Sequence, residues 1–182
     1  MTEEPCDHDL SAGSRKVIHD VNIHGWHVVK VSSSGDHPGW AFSIGFFHTF
    51  QHPEVLMFGL GLDLMHQLIN TLAAEIRAGQ CIEADTEHGD LLKGYRCAFK
   101  SVDKVWYEYV LGYATWFYKG TDFPTLQCFW PDKGHRYPWD RDFDSSLASL
   151  QPLLFHRDPV QAQARALLNS LASGSKEQEA DR

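Results

Sequence analysis

An amphipathic segment between residues 63 and 79 constrains the fold of this chain more than any other feature of its sequence. Apolar residues recur there every three to four positions, as they do on the buried face of a helix. Asp63 is a suitable N-cap and Gly79 a suitable residue just past the end, so a helix is predicted from 63 to 79. The residues of its apolar face are Leu64, Leu68, Ile69, Leu72, Ala73 and Ile76.

Strand-forming segments surround this helix. They are rich in aromatic and β-branched residues and are bounded by turn residues such as Gly, Pro, Ser and Asp. The three segments that precede the helix are predicted to form an antiparallel meander. Residues 80–94 are mixed and polar, and predict only a short strand and a loop. The five predicted strands are 26–31, 40–47, 54–59, 96–102 and 123–130.

Three further helices complete the prediction, at 14–24, at 103–118 and from Asp158 onward. The helix at 103–118 is expected to bury Val105, Tyr109, Ala114, Trp116 and Phe117. The C-terminal helix is expected to bury Val160, Ala164, Leu167, Leu168 and Leu171.

These elements predict an α+β domain with a central, mainly antiparallel sheet of about five strands. Two long helices, at 63–79 and 103–118, are expected on one face of the sheet, with the C-terminal helix added. The predicted domain covers residues 14–172. Residues 1–13 are predicted to be disordered, and 173–182 to form a polar tail.

Charge and composition exclude several classes of function. The 182 residues carry a formal net charge of -8, which disfavours general binding to nucleic acids but allows a basic protein partner. No apolar run approaches the roughly 18 residues that span a bilayer, and the N-terminus lacks the features of a signal peptide. A cytoplasmic protein without a membrane segment is therefore expected.

The cysteines do not suggest a zinc site. The four cysteines form no C-x-x-C pair. Cys97 and Cys128 fall in predicted strands and are interpreted as buried free thiols.

Five short motifs resemble a known family when they are taken together and in order. They are Gly25-Trp26, Trp-Ala-Phe-Ser-Ile-Gly-Phe at 40–46, His-Pro-Glu-Val-Leu-Met-Phe-Gly-Leu at 52–60, Phe-Pro-Thr-Leu-Gln-Cys-Phe-Trp-Pro-Asp at 123–132 and Tyr-Pro-Trp-Asp at 137–140. This combination resembles the bacterial domain-of-unknown-function family 4262 over roughly residues 17 to 154. Phe42 and Ser43 occupy positions where the family pattern leads us to expect Tyr and Thr. The resemblance implies no catalytic residue, since no activity is assigned to the family.

One candidate site is the turn that contains His48, His52 and Glu54. Two imidazoles and a carboxylate are suitable ligands for zinc or iron. The alternative is a structural turn, made rigid by Pro53, in which Glu54 caps backbone amides or pairs with an arginine.

A second candidate is the loop at 130–140, where Trp-Pro-Asp and Pro-Trp-Asp flank Arg136. Aromatic faces beside carboxylates are suited to a planar or cationic ligand. The alternative is a self-packed loop in which Asp132 binds its own turn amides and Trp139 fills the core. Arg136 is expected to pair with Glu54 or Asp132.

A third group of polar residues, His19, Asp20, His24 and His27, contains an acid beside a possible base. Adjacent helical residues point about 100° apart, so Asp20 cannot orient His19. The prediction for this group is the polar outer face of an amphipathic helix. Two glycines near the helix at 63–79, Gly59 and Gly61, are assigned to a strand-to-helix corner rather than to a dinucleotide loop.

The sequence therefore predicts a binding domain for a small molecule or a protein partner, through an aromatic and acidic cleft. One alternative is an enzyme, either metal-dependent through His48, His52 and Glu54 or flavin-using by analogy with small flavin-binding barrels. Another is an immunity-type protein that neutralises a basic toxin. The residues expected to line the cleft are Trp40, His48, His52, Glu54, Trp130, Asp132, Arg136, Trp139 and Asp140.

Overall fold

A computed structural model describes residues 11–35, 37–165, 167 and 168 of the chain. Residues 1–10 of the segment predicted to be disordered (1–13), and the predicted tail at 173–182, lie outside these residues, whereas Ala12 and Gly13 belong to the first helix. The described part is an α+β structure. Its α-helices are α1 (Ala12–His24), α2 (Phe46–Phe50), α3 (Leu62–Arg77), α4 (Tyr107–Val110) and α5 (Gly112–Tyr118), with 3₁₀ turns at Lys104–Trp106 and Ser145–Leu150. Its strands are β1 (His27–Val31), β2 (Trp40–Ile44), β3 (Glu54–Phe58), β4 (Thr86–Leu92), β5 (Tyr95–Ser101) and β6 (Thr125–Phe129).

The strands form one mixed sheet in the order β1-β2-β3-β6-β5-β4. The first three strands make the predicted antiparallel meander, and β4, β5 and β6 are also antiparallel neighbours. The central pair, β3 and β6, is parallel, which the sequence did not predict. Strand β4 is a sixth strand in a segment predicted to be mostly loop. Its polar sequence is compatible with its position at the edge of the sheet.

Both faces of the sheet are covered by helices. On β2 the side chains alternate, so that Phe42 lies in the cluster of α1, α4 and α5, while Ala41 lies in the cluster of α3. The prediction that the two long helices share one face is therefore wrong. Every residue of β2, β3 and β6 is buried, as expected for central strands with both faces covered. Cys97 and Cys128 are buried free thiols on β5 and β6, as predicted.

Helix α3 confirms most of the apolar face predicted for residues 63–79. Leu72 and its neighbours on the stripe are buried, and Gly79 follows the helix with a left-handed φ of 97°. The prediction that Leu64 is buried is wrong, because its side chain is 39% exposed and Met65 is buried instead. Leu64 lies about 100° around the helix from Met65, outside the stripe. Asp63 lies in the first turn, and Gly61 takes the N-cap position without a side-chain bond.

The predicted helix at 103–118 is interrupted. Asp103 caps its first turn as expected, but Leu111 leaves the helical conformation and separates α4 from α5. The interruption changes which side chains point inward, so Tyr109 and Trp116 are 47% and 38% exposed rather than buried. The buried residues are Trp106, Tyr107, Val110, Leu111 and Ala114.

The start of the predicted C-terminal helix is also wrong. Residues 158–163 form turns, and Gln163 has a left-handed φ of 52°. Val160 is consequently exposed, whereas Ala164 and Leu167 are buried as predicted. Leu171 lies outside the described residues.

Candidate functional site

Glu54, the first residue of β3, is a completely buried carboxyl group at the centre of a hydrogen-bond network. Its Oε1 accepts hydrogen bonds from the amides of Gly45 (2.9 Å) and Phe47 (3.1 Å) and from the hydroxyl of Tyr118 (2.5 Å). Its Oε2 accepts the hydroxyl hydrogen of Ser43. The network joins β2, α2, α5 and β3.

The hydrogen bonds around the two hydroxyls indicate the ionisation of Glu54. The Ser43 oxygen accepts the amide of Val55 at 2.9 Å, and the Tyr118 oxygen accepts the amide of His48 at 3.3 Å. Amides only donate, so each hydroxyl directs its own hydrogen to Glu54. This is the pattern expected around a carboxylate, although burial raises the pKa of Glu54 and the four hydrogen bonds only oppose that rise. Burial and the Glu54 charge also raise the pKa of Tyr118, which keeps its donor hydrogen.

The motifs at 25–26, 40–46 and 52–60 meet in this network. Gly45 has a left-handed φ of 112°, and a Cβ there would lie 2.7 Å from the carbonyl oxygen of Gly25. The β2–β3 ladder ends at the pair Phe42 and Leu56, and beyond it the Ser43 hydroxyl serves as the acceptor for β3. Ser43 therefore provides the hydroxyl that the family pattern led us to expect from Thr.

The three predicted metal ligands do not form a ligand set. His52 is buried and uses both ring nitrogens, because Nδ1 donates to the Pro53 carbonyl (2.7 Å) and Nε2 accepts the Ile82 amide (3.0 Å). Burial lowers the pKa of His52, consistent with a neutral ring. His48 is exposed and lies edge-on to Phe117. Within the described part of the chain, no three His, Cys, Asp or Glu side chains are placed to hold a metal ion.

Asp132 organises the loop at 130–140 through its own turn amides. Its Oδ1 accepts the amides of Gly134 (2.8 Å) and Arg136 (3.0 Å), and its Oδ2 accepts the amide of Asp144 (3.1 Å) and Nε of Arg136 (3.0 Å). Burial alone would raise the pKa of Asp132, but these bonds outweigh it and the pKa is lowered. Arg136 thus pairs with Asp132 rather than with Glu54.

The Glu54 turn and the loop at 130–140 lie at opposite ends of the parallel β3–β6 pair. Glu54 is paired with Thr125 at one end, whereas Trp130 follows the other end and donates from Nε1 to the Phe58 carbonyl at 2.9 Å. Trp40 is the partner of Phe58 in the β2–β3 ladder and so also lies at this end of the sheet. However, the Trp40 side chain lies on the face covered by α1, and that of Trp130 on the face covered by α3. The structure does not bring the residues of the predicted cleft together.

The end of this loop instead lines a groove with β4 and β5. The groove has a volume of about 350 Å³ and is called here the aromatic–acidic groove. Tyr137 and Trp139 stack in its wall, with 5.2 Å between ring centroids and 20° between ring planes. The residues that line it include Asp85, Thr86, Glu87, Phe99, Lys100, His135, Tyr137, Trp139 and Asp140.

A lysine of the chain occupies part of the aromatic–acidic groove. The Nζ of Lys100 lies 5.1 Å from the Trp139 ring centroid and 2.7 Å from Oδ1 of Asp85. Burial and the nearby Glu87 carboxylate raise the pKa of Tyr137 to about 12, so its hydroxyl stays protonated and neutral. Asp85 and Glu87 are 73% and 49% exposed, and are accessible from solvent.

Asp20 orients a histidine that the sequence argument did not assign to it. Its Oδ2 lies 2.7 Å from Nδ1 of His27, across the turn that joins α1 to β1, while His19 is exposed. Burial alone would raise the pKa of Asp20, but Lys16 and His27 outweigh it and the pKa is lowered. The prediction from helical geometry that Asp20 does not orient His19 agrees with the structure. The pairing with His27 could have been found only by placing the start of β1 against α1.

The fold and its Glu54 network define an α+β domain whose sheet has helices on both faces. The family model for a domain of unknown function, DUF4262, matches residues 20–144, and the chain belongs to this family. No curated protein and no solved structure matches the chain. Among the described residues, the helices are too short or too polar to cross a membrane.

Proposed function

We propose that the protein is a binding domain that receives a positively charged group in the aromatic–acidic groove. The observation that carries the proposal is the position of Lys100, whose ammonium lies over Trp139 and against Asp85. An aromatic face beside a carboxylate is the chemistry that recognises ammonium and guanidinium groups. The contact of the chain's own ammonium with this ring and this carboxylate supports the proposal.

Carboxylates outnumber ammonium groups in the lining of the aromatic–acidic groove, which favours an added cation. Asp85, Glu87 and Asp140 line the groove against the single ammonium of Lys100. Lys100 pairs with Asp85, and Arg96 pairs with Glu87, on the protein surface. Such surface pairs contribute roughly 0–1 kcal/mol each, so an incoming cation can replace them at little cost.

Calorimetric titration with choline and, separately, with a short arginine-rich peptide tests this proposal. Glu87→Gln is expected to weaken binding, and Lys100→Gln to strengthen it, because the first removes a carboxylate and the second removes the competing cation. Asp122→Asn is the matched control, since Asp122 is fully exposed and, within the described part of the chain, pairs with Lys104 alone. Absence of binding by both probes, or weaker binding after Lys100→Gln, contradicts the proposal.

The same titration addresses a dedicated protein partner, as in an immunity-type protein. The net charge of -8 favours a basic partner over an acidic one. Binding of the peptide without binding of choline supports such a partner. The enzyme alternatives gain no support from the geometry, because the metal ligands are dispersed and the sheet is open, with β1 and β4 at its edges.

A further inference from the structure

A second groove, of about 380 Å³, lies along β1 at the opposite edge of the sheet. Helix α1 provides one wall of this β1-edge groove and α3 the other. Its polar lining includes Lys16, Asp20, His27, Lys30, His66 and Asn70. It is separate from the aromatic–acidic groove, which lies against β4 and β5.

The pair of Asp20 and His27 gives this groove an oriented imidazole. Oδ2 of Asp20 is 2.7 Å from Nδ1 of His27 and 2.7 Å from Nζ of Lys16. The Asp20 and His27 side chains are only 16% and 15% exposed. Among the residues that the structure describes, none bonds Nε2 of His27. The carboxylate is thus already engaged by Nδ1–H of His27 and by Lys16, and Nε2 of the neutral ring is an acceptor that faces the groove.

Asn70 presents hydrogen-bond donors to the same groove. Nε1 of Trp26 donates to Oδ1 of Asn70 at 2.8 Å. An indole nitrogen only donates, so the amide oxygen faces Trp26 and the Asn70 NH₂ group faces the other way. There the NH₂ group has only long contacts of 3.4 Å to the ring of His66. Its donor capacity is largely unused.

Two ammonium groups, of Lys16 and Lys30, and one carboxylate, of Asp20, line the β1-edge groove, on a chain whose net charge is -8. The ammonium of Lys30 pairs, among the residues that the structure describes, with Asp63 alone, and the Asp63 side chain is itself 90% exposed. We propose that this groove binds the phosphate group of a small molecule, held by the ammonium of Lys30 and the amide of Asn70. A phosphate offers several oxygens to donors that approach from different elements, and lysine and amide donors bind it well.

Nuclear magnetic resonance of ¹⁵N-labelled protein, followed at the Trp26 indole N–H, tests the proposal. Inorganic phosphate is the probe, and acetate at the same ionic strength is the comparison. A saturable shift with phosphate, and a weaker one with acetate, is the expected result. No saturable shift with phosphate, or equal affinity for acetate, overturns the proposal.

Two variants and one control connect the signal to the groove. Asn70→Asp keeps the acceptor for Trp26 but replaces the donors with a negative charge, and is expected to lower phosphate affinity by about tenfold or more. Lys30→Gln, at an exposed position that the fold tolerates, is expected to act in the same direction. Lys104→Gln is the matched control, because Lys104 also pairs with one exposed aspartate, Asp122 at 3.2 Å. Wild-type affinity in both groove variants overturns the proposal.

Discussion

Tyr118 of α5 donates a hydrogen bond of 2.5 Å to Glu54, the first residue of β3. This bond connects α5 to a central strand of the sheet. The same tyrosine oxygen accepts the amides of Gly45 (3.2 Å) and His48 (3.3 Å). One hydroxyl therefore helps to position α2 as well as the carboxylate. Loss of this hydroxyl affects three elements at once.

Tyr118→Phe should destabilise the protein by about 1.5–3 kcal/mol, because a buried carboxylate loses a charge-assisted hydrogen bond. Urea unfolding followed by circular dichroism measures the change. Tyr109→Phe is the control, since Tyr109 is 47% exposed and its hydroxyl has no hydrogen bond in the described structure. Equal stability of the two variants would show that the Tyr118 hydroxyl does not stabilise the fold.

His52 should make stability depend on pH below neutrality. Burial lowers its pKa in the folded state below the ordinary value of 6.5, so the unfolded chain binds more protons at this residue. The contribution of His52 to stability is therefore complete above pH 6.5 and declines as the pH falls from there toward the lowered pKa. His52→Gln should remove this part of the decline. The difference between the two unfolding free energies, measured from pH 7.5 to 5 in steps of about half a unit, isolates it. A constant difference would contradict the assignment.

Gly45→Ala should destabilise the protein more than Gly94→Ala. Both glycines have a left-handed φ, of 112° and 82°, which costs an alanine about 1–2 kcal/mol. Only at Gly45 would the new Cβ meet backbone atoms, 2.7 Å from the Gly25 oxygen and 3.0 Å from the Trp26 Cα. Such crowding adds about 1–3 kcal/mol. Parallel thermal melts of the two variants compare them, and equal midpoints would show that the Gly25 contact can relax.

Leu72→Ala should cost about 2–5 kcal/mol, since Leu72 is fully buried between α3 and the sheet. Leu64→Ala, on the same helix but 39% exposed, should change stability by less than about 1 kcal/mol. Urea unfolding of both variants checks the rotational position of α3. A large loss at Leu64 and a small one at Leu72 would mean that the helix faces the sheet differently.

The elements that the sequence predicted well are those with a strong local pattern. The stripe through Leu72 has a period that only a helix satisfies, and β3, which is apolar from Val55 to Phe58, is bounded by turn residues. The local pattern also explains the error at Leu64, which lies about 100° around the helix from the buried Met65, so that a small rotation of the assumed stripe exchanges the two residues. The interruption at Leu111 has one sign in the sequence, Gly112 directly after it, because glycine weakens a helix.

Contacts between distant segments could not be predicted in the same way. Capping of backbone amides was one of the alternatives for Glu54 and is what the structure shows, but the contact of Glu54 with Tyr118 depends on where α5 docks. Aromatic and acidic residues of the loop at 130–140 were assigned to a cleft, yet the other wall is formed by β4 and β5, and the polar sequence of β4 predicted only a short strand and a loop. Asp20 and His27 meet only because the chain reverses at Gly25.

Strand β6 fills the space between two units that are each local in sequence, the β1–β2–β3 meander and the β4–β5 hairpin. During synthesis both units leave the ribosome before β6, so the inner edges of β3 and β5 stay unpaired until residues 125–129 emerge. Unpaired apolar edges favour aggregation, and late long-range pairing slows folding. Nascent chains that stop before Thr125 are therefore expected to be protease-sensitive and prone to associate, whereas extension through Phe129 completes the sheet and gives protection.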